Sequence, residues 1–111
     1  MFTPLPPLQS GIADYSVDII NELVKYTDID VYIDDGYTID CTIDNRIQVL
    51  SHKVFVKNVD KYDEIVYQVG NSDYHSYMFD YIEKYKGIVV LHDYNLHGIA
   101  NYYALSKEKR I

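Results

Sequence analysis

The fold is decided by residues 64–93, which read EIVYQVGNSDYHSYMFDYIEKYKGIVVLHD. The stretch opens on a largely apolar run over residues 64–69 that ends at a glycine, as a strand does. Apolar side chains then recur at helical spacing over residues 74–85, and Gly87 follows where a C′ glycine ends a helix. The pattern predicts a strand, a helix and, in the apolar run over residues 88–91, a buried strand.

The same alternation of strand and helix extends to either side of this stretch. Apolar residues at helical spacing predict a helix over residues 14–25 and a last helix over residues 96–103. Polar and apolar residues alternate over residues 30–34 and 38–43, and more loosely over 47–50, which predicts short strands. Strands in alternation with helices favour an α/β fold, a Rossmann-like parallel sheet with right-handed crossovers and flanking helices.

The first strand of this sheet is short or absent. The loop that ends at Gly11 leads straight into a helix, so a strand is expected before it. Only Met1–Thr3 is available, because the prolines that follow favour an extended loop. The sheet is therefore incomplete, with its first strand missing or reduced to a stub. Since an open sheet edge invites pairing with another chain, we expect a homo-oligomer.

The composition excludes several classes of protein. Seventeen acidic against ten basic residues give a net charge of −7, which argues against nucleic-acid binding and against a basic lipid-binding patch. The longest aliphatic run, over residues 88–91, is far shorter than the roughly 20 residues that span a bilayer. A lone cysteine, Cys41, supports neither a disulfide framework nor a cysteine zinc site. We therefore expect a cytoplasmic protein with no transmembrane segment.

Three polar segments are expected to meet at one edge of the sheet. Residues 10–12, 70–72 and 92–93 each lie where a strand gives way to a helix. Ligands of open α/β sheets bind outside the carboxyl ends of the strands, where backbone N–H groups attract anions. Glycines in two of these segments would let a phosphate or sugar approach the backbone, although ordinary turn glycines are the alternative.

Histidines mark the same edge. His92 directly follows an apolar strand, which favours a ligand-contacting or polarising role, and His75 faces either the same cleft or solvent. His92 and His97 are five residues apart without a glutamate between them, whereas a zincin helix spaces its histidines four apart, so no metal site is predicted. Asp34-Asp35 resembles the acidic pair of phosphoacceptor domains only weakly, and a solvated turn is the default for that pair.

Three stretches of the chain resemble one enzyme family. Residues 4–16, PLPPLQSGIADYS, are similar to the amino-terminal loop of bacterial family 4 glycosyltransferases, retaining enzymes of the GT-B group. Residues 69–75 and 89–97 resemble two further stretches of the same family, in the same order. The similarity covers nearly the whole chain.

The resemblance implies roles for particular residues. Enzymes of this family hold the acceptor mostly in an amino-terminal half and the nucleotide-sugar mostly in a carboxyl-terminal half. Gly11, with Ile12 beside it, would belong to the loop near the donor diphosphate and the acceptor, and His92 would be a catalytic residue facing the transferred sugar. The positions Asn71, His75 and Asp93 match the family pattern as substrate-binding residues. The nucleotide-sugar is a co-substrate, and neither a resident cofactor nor a metal is implied.

The chain departs from the family pattern in its carboxyl-terminal half. The donor domain carries a Glu-x7-Glu pattern, and no two glutamates of this chain are eight residues apart. We therefore expect residues 1–111 to be a single, partial acceptor-side domain of a hexosyltransferase of surface polysaccharide synthesis, inactive alone. The intact enzyme would work in the cytoplasm or at the inner membrane face. A non-catalytic α/β module that self-associates and a flavodoxin-like regulator are the alternatives.

Overall fold

Helices and short parallel strands make up the chain in a computed structural model that describes residues 1–8, 11–70 and 73–92. The strands are β1 (Asp30–Ile33), β2 (Gln48–Ser51), β3 (Val66–Val69) and β4 (Ile88–Leu91). The α-helices are α1 (Gly11–Leu23), α2 (Phe55–Asn58) and α3 (Met78–Lys84). Short 3-10 turns occupy His52–Val54, Val59–Lys61 and Asp73–His75. The expected α/β class is confirmed.

The strands form two parallel pairs that are joined by the first residues of the chain. β1 pairs with β2, and β3 pairs with β4. Phe2 forms parallel bridges to Tyr32 of β1 and to Tyr67 of β3. The Phe2 N–H donates to the Val66 carbonyl at 2.8 Å, and the Phe2 carbonyl accepts from the Gln68 N–H at 2.9 Å. Of the two expectations for the first strand, the stub is therefore the one observed, and it fills the gap between the pairs.

Two hydrophobic clusters lie on opposite faces of these strands. Val31 and Tyr32 are adjacent in β1 and point to opposite faces, as successive strand residues do. Val31 belongs to a cluster with α1, whose buried members are Leu5, Ile20, Val24, Val31 and Ile47. Tyr32 belongs to an aromatic cluster with α2 and α3, whose buried members are Phe2, Tyr32, Phe55, Tyr67, Val69, Met78 and Phe79. Helices therefore cover both faces of the strands.

The prediction that residues 88–91 are buried is wrong. The run forms β4, but Ile88, Val89 and Leu91 are 51%, 42% and 48% exposed. Among the described residues β4 pairs with β3 alone. An uninterrupted apolar run is typical of a strand covered on both faces. The elements described here do not cover β4 in that way.

The alternating pattern over residues 38–43 does not form a strand. The segment is irregular and lies against the proline-rich loop, where the Asp40 N–H donates to the Pro6 carbonyl at 2.8 Å. Ile39, Cys41 and Ile43 pack on the α1 cluster. The alternation therefore reflects a loop that buries one side on the core, and the polar side faces outward.

The helix expected over residues 74–85 is divided. A 3-10 turn at Asp73–His75 precedes α3, which begins only at Met78. The turn brings the His75 ring back onto β3, where its Nδ1 lies 3.0 Å from the Gln68 carbonyl oxygen. This tertiary contact competes with a continuous helix, and no local periodicity reveals it.

Gly87 has a role other than the expected helix cap. α3 ends at Lys84, with Tyr85 as its C-cap, and Gly87 does not adopt a left-handed conformation. A side chain at Gly87 would overlap the carbonyl oxygen of Ile65, which accepts a hydrogen bond from the Ile88 N–H at 2.7 Å. The glycine therefore allows β4 to approach the residue before β3. The last predicted helix, over residues 96–103, lies outside the described residues.

Candidate functional site

The amino end of α1 meets the carboxyl end of β3. Gly70 follows β3 directly, and a Cβ atom at that position would lie 2.5 Å from Cδ1 of Ile12 and 2.9 Å from Nε2 of His75. Ile12 is 8% exposed and His75 is 1% exposed. Because Gly70 has no side chain, Ile12 of α1 and His75 of the turn after β3 can both pack against its backbone.

A single glutamine of β3 contacts both candidate histidines. Gln68 is 3% exposed. Its backbone carbonyl lies 3.0 Å from Nδ1 of His75, and its side-chain Oε1 is hydrogen-bonded to Nε2 of His92. Because a carbonyl oxygen only accepts hydrogen bonds, His75 donates through Nδ1 and His92 donates through Nε2. Both rings are thereby fixed at the carboxyl edge of β3.

The environment of His92 favours a neutral imidazole. Burial lowers the pKa of His92 below its usual value, because a partly desolvated site penalises the charged form. With Nε2 donating to Gln68, the neutral ring carries its lone pair on Nδ1. The ring centroid lies 5.0 Å from that of Tyr15, a half-exposed residue one turn into α1. A neutral ring held in this way suits the acceptance of a hydrogen bond or a proton from a hydroxyl group.

A buried hydroxyl pair lies beneath α1 close to the stub. Thr3 Oγ1 and Ser16 Oγ are 2.7 Å apart, and both residues are fully buried. Thr3 also donates to the Pro4 carbonyl at 3.0 Å, so Ser16 donates to Thr3. The pair ties α1 to the residue at which the stub ends, and therefore fixes the helix relative to β3.

The residues singled out from the sequence have different outcomes. The structure brings Ile12, His75 and His92 to one edge through their shared neighbours Gly70 and Gln68. Gly11 begins α1, and a Cβ atom at this position would have no other atom within 4 Å. The backbone at Gly11 is therefore accessible from solvent. The two remaining positions, Asn71 and Asp93, lie outside the described residues.

Two members of the site were not predicted. Gln68 is a polar residue within an otherwise apolar strand, which is a recognisable signal because buried polar groups require partners. The spacing of Tyr15 places it in the apolar stripe that predicts a helix over residues 14–25, yet it is 46% exposed and contacts His92. No sequence signal distinguishes such an edge tyrosine from a core tyrosine.

A second polar cluster lies at the carboxyl ends of β1 and β2. Its members, which we call the β1–β2 polar cluster, are Asp34, Asp35, Ser51, His52 and Lys53. Ser51 Oγ donates to Asp35 at 2.6 Å, and Lys53 Nζ lies 3.0 Å from the same carboxylate. These hydrogen bonds, that of Ser51 foremost, lower the pKa of Asp35. His52 Nε2 lies 3.5 Å from Asp34, and its Nδ1 lies 2.7 Å from the Tyr81 hydroxyl. The expected solvated turn at Asp34-Asp35 is thus an ion-paired one.

Comparison with protein-family models, curated proteins and solved structures gives no match. Among the described residues, no group of three or more His, Cys, Asp or Glu side chains is placed to hold a metal ion. No helix in that part of the chain is long and apolar enough to cross a membrane.

An open groove of about 600 Å³ lies at the opposite edge of the strands. The first residues of β1, β2 and β3 contribute to it. The residues that line the groove are Met1, Leu23, Thr27, Asp28, Ile29, Asp30, Arg46, Gln48, Lys61, Tyr62, Asp63, Glu64 and Val66. Ligands of parallel sheets bind at the carboxyl ends of the strands. The groove is therefore a weaker candidate than the edge that holds His75 and His92.

Proposed function

We propose that this chain is the acceptor-side, Rossmann-like domain of a GT-B glycosyltransferase that transfers a hexose from a nucleoside-diphosphate sugar to a glycan. The parallel bridges of Phe2 to β1 and β3 support the Rossmann-like part of the proposal. They give the spatial order β2, β1, stub, β3, β4, in which the chain runs outward in both directions from its first strand. In doubly wound sheets the ligand crevice opens where the strand order reverses, which here is the carboxyl end of the stub.

The observation that carries the proposal is the pair of histidines fixed by Gln68 beside α1. The resemblance of residues 10–16, 69–75 and 89–97 to family 4 glycosyltransferases concerns the segments that supply this edge. Ile12, Gly70, His75 and His92 come from those three segments, although they are distant in sequence.

The proposed chemistry follows from positioning and electrostatics. His92, neutral and with Nδ1 as acceptor, would hold a hydroxyl group of the transferred sugar at the strand end. The amino end of α1, at Gly11 and Ile12, would present backbone N–H groups toward the donor diphosphate. Preorganised dipoles of this kind stabilise the departing diphosphate, and they act without a metal. A separate donor-binding part completes the site, so we propose that residues 1–111 alone do not turn over.

Nuclear magnetic resonance of the histidine rings tests the proposal on this chain. Nucleotide-sugars and short glycans would be titrated, and the ring signals of His75 and His92 are expected to shift while those of His52 serve as the internal reference. His92→Ala should weaken the response, whereas Tyr26→Ala should not, because Tyr26 is a surface aromatic residue that is 79% exposed. Failure of every nucleotide-sugar and glycan to move these signals would contradict the proposal.

The same experiment addresses the two alternatives. A flavodoxin-like regulator would instead respond to an acyl phosphate, with the gain of one phosphoryl group at Asp34 or Asp35 in the mass spectrum. A non-catalytic interaction module would respond to neither class of ligand. No contact among the described residues favours either alternative over the glycosyltransferase, since the Asp35 carboxylate is already engaged by Ser51 and Lys53.

A further inference from the structure

Gln68 connects the two histidines of the edge to the amino end of the chain. The residue is 3% exposed and lies in β3 between Tyr67 and Val69. Its backbone N–H donates to the Phe2 carbonyl at 2.9 Å, which holds the strand against the stub. Burial of an amide side chain is costly unless its oxygen and its nitrogen have partners. The side-chain partners of Gln68 therefore indicate what the residue does.

The orientation of the Gln68 amide follows from two contacts. One end of the amide lies 3.6 Å from Sδ of Met1, and the other end is hydrogen-bonded to Nε2 of His92. A thioether sulfur accepts hydrogen bonds and cannot donate them. The amide nitrogen is therefore the end that faces Met1, and the amide oxygen is the end that faces His92.

We propose that Gln68 is a positioning residue, which keeps the proton of the neutral His92 ring on Nε2 and leaves Nδ1 as the acceptor for a hydroxyl group of an uncharged ligand. An unprotonated Nδ1 attracts a hydroxyl hydrogen and repels the oxygen atoms of an anion, because both the nitrogen and those oxygens only accept. Gln68 thereby makes His92 select hydroxyl groups over anions. The identity of the ligand as a sugar rests on the proposed function, whereas the state of the ring is a property of the chain itself.

The surroundings of His92 make the choice of partner decisive. The ring contacts Gln68 of β3 and Tyr15 of α1. Burial lowers the pKa of His92, which favours the neutral ring. A carboxylate at position 68 would accept from the same nitrogen but would also stabilise the charged ring. Nδ1 would then be protonated and would donate to anions, so a glutamine and a glutamate at this position give the edge opposite ligand preferences.

The ¹⁵N resonances of the histidine rings test this role on ligand-free protein. In the parent chain at about pH 8, above the usual histidine pKa of about 6.5, Nε2 of His92 should be protonated and Nδ1 unprotonated. Gln68→Glu should raise the pKa of His92 by roughly 1–3, as an opposite charge in contact does. Gln68→Met has a similar size and no oxygen, so both tautomers of His92 should be populated, which gives intermediate shifts for both ring nitrogens.

Two controls separate positioning from packing. Gln48→Glu makes the same chemical change at the exposed first residue of β2 and should leave the pKa of His92 as in the parent chain. His75 is the internal control, because its Nδ1 donates to the backbone carbonyl of residue 68, which every variant retains. Nδ1 of His75 should therefore stay protonated in both variants of Gln68, which also shows that this edge has kept its fold.

The ring state of His92 decides the matter. A parent chain with Nδ1 of His92 protonated in place of Nε2 overturns the proposal. So does a His92 tautomer that Gln68→Met leaves as in the parent chain, since Gln68 then only fills space, and this variant decides alone if Gln68→Glu does not fold. A failure of the proposed function is a separate result, in which nucleotide-sugars and glycans leave the ring signals unmoved although the ring states are as expected.

Discussion

Replacement of Phe2 by alanine should strongly destabilise the protein, because Phe2 packs within the aromatic cluster. Phe2 is fully buried. Its ring centroid lies 4.9 Å from those of Phe55 and Tyr81 and 5.0 Å from that of Tyr67. Truncation of a buried phenylalanine costs about 3–5 kcal/mol, and aromatic pairs contribute about 0.5–1.5 kcal/mol beyond burial. We expect Phe2→Ala to lower the free energy of unfolding by about 4–5 kcal/mol, a large part of the roughly 5–15 kcal/mol typical of a domain.

Urea denaturation followed by circular dichroism measures this loss. With a denaturant slope of about 2 kcal/mol/M, the midpoint should fall by about 2 M. Phe2→Leu, which keeps most of the apolar volume, should lose less than half as much. Tyr26→Ala is the control, because this exposed aromatic side chain should contribute less than about 0.5 kcal/mol. A loss below about 1 kcal/mol for Phe2→Ala would show that the stub is not a structural part of the sheet.

Three further predictions follow from individual contacts. In thermal melts, Gly87→Ala should destabilise the protein by about 2 kcal/mol or more, because the new methyl group overlaps the Ile65 carbonyl. In the same assay, Gly11→Ala at the open start of α1 should be neutral or slightly stabilising. Burial lowers the pKa of the Met1 amine from 8.0 to about 5. Between pH 5 and pH 8 the unfolded chain therefore carries a proton on this amine that the folded chain lacks. Stability should therefore be highest above pH 8 and fall by up to about 4 kcal/mol as the pH decreases to 5, and equal urea midpoints at pH 8 and pH 5 would contradict this. The Tyr67 hydroxyl donates to the Tyr85 carbonyl at 2.7 Å just beyond α3, so Tyr67→Phe should lose about 1 kcal/mol, measured by urea denaturation, and unchanged stability would show that the hydroxyl is equally well solvated in both states.

Much of the fold is predictable from local patterns in the sequence. The periodicity of apolar residues identifies α1 and the strands β1, β3 and β4. The loop that leads into α1 at Gly11 indicates a strand before it, which is present as the stub at Phe2. The errors concern packing rather than pattern. Residues 38–43 alternate because one side lies on the α1 cluster, and an apolar sequence cannot show whether β4 has neighbours on its second side.

The candidate site is predictable to a smaller extent. Strand ends and glycines indicate the correct edge, since the carboxyl ends of parallel strands coincide. The partner of the two histidines was not predicted, because the contact of Gln68 with His92 joins residues 24 positions apart. Hydrogen-bond partners depend on strand register, and register is fixed by the turns and by the hydrophobic clusters together.

The position of the stub has a consequence for the order in which the chain can fold during synthesis. Phe2 leaves the ribosome before any other described strand residue, yet it bridges to Tyr32 and to Tyr67, which are 30 and 65 residues further along the chain. The α1 cluster and the β1–β2 pair have all their described members among residues 1–51 and can assemble first. The aromatic cluster cannot close until β3 and α3 have been translated. The sheet therefore grows outward from a residue that remains half-paired through most of translation, and the fully buried Phe2 ring stays uncovered during that interval.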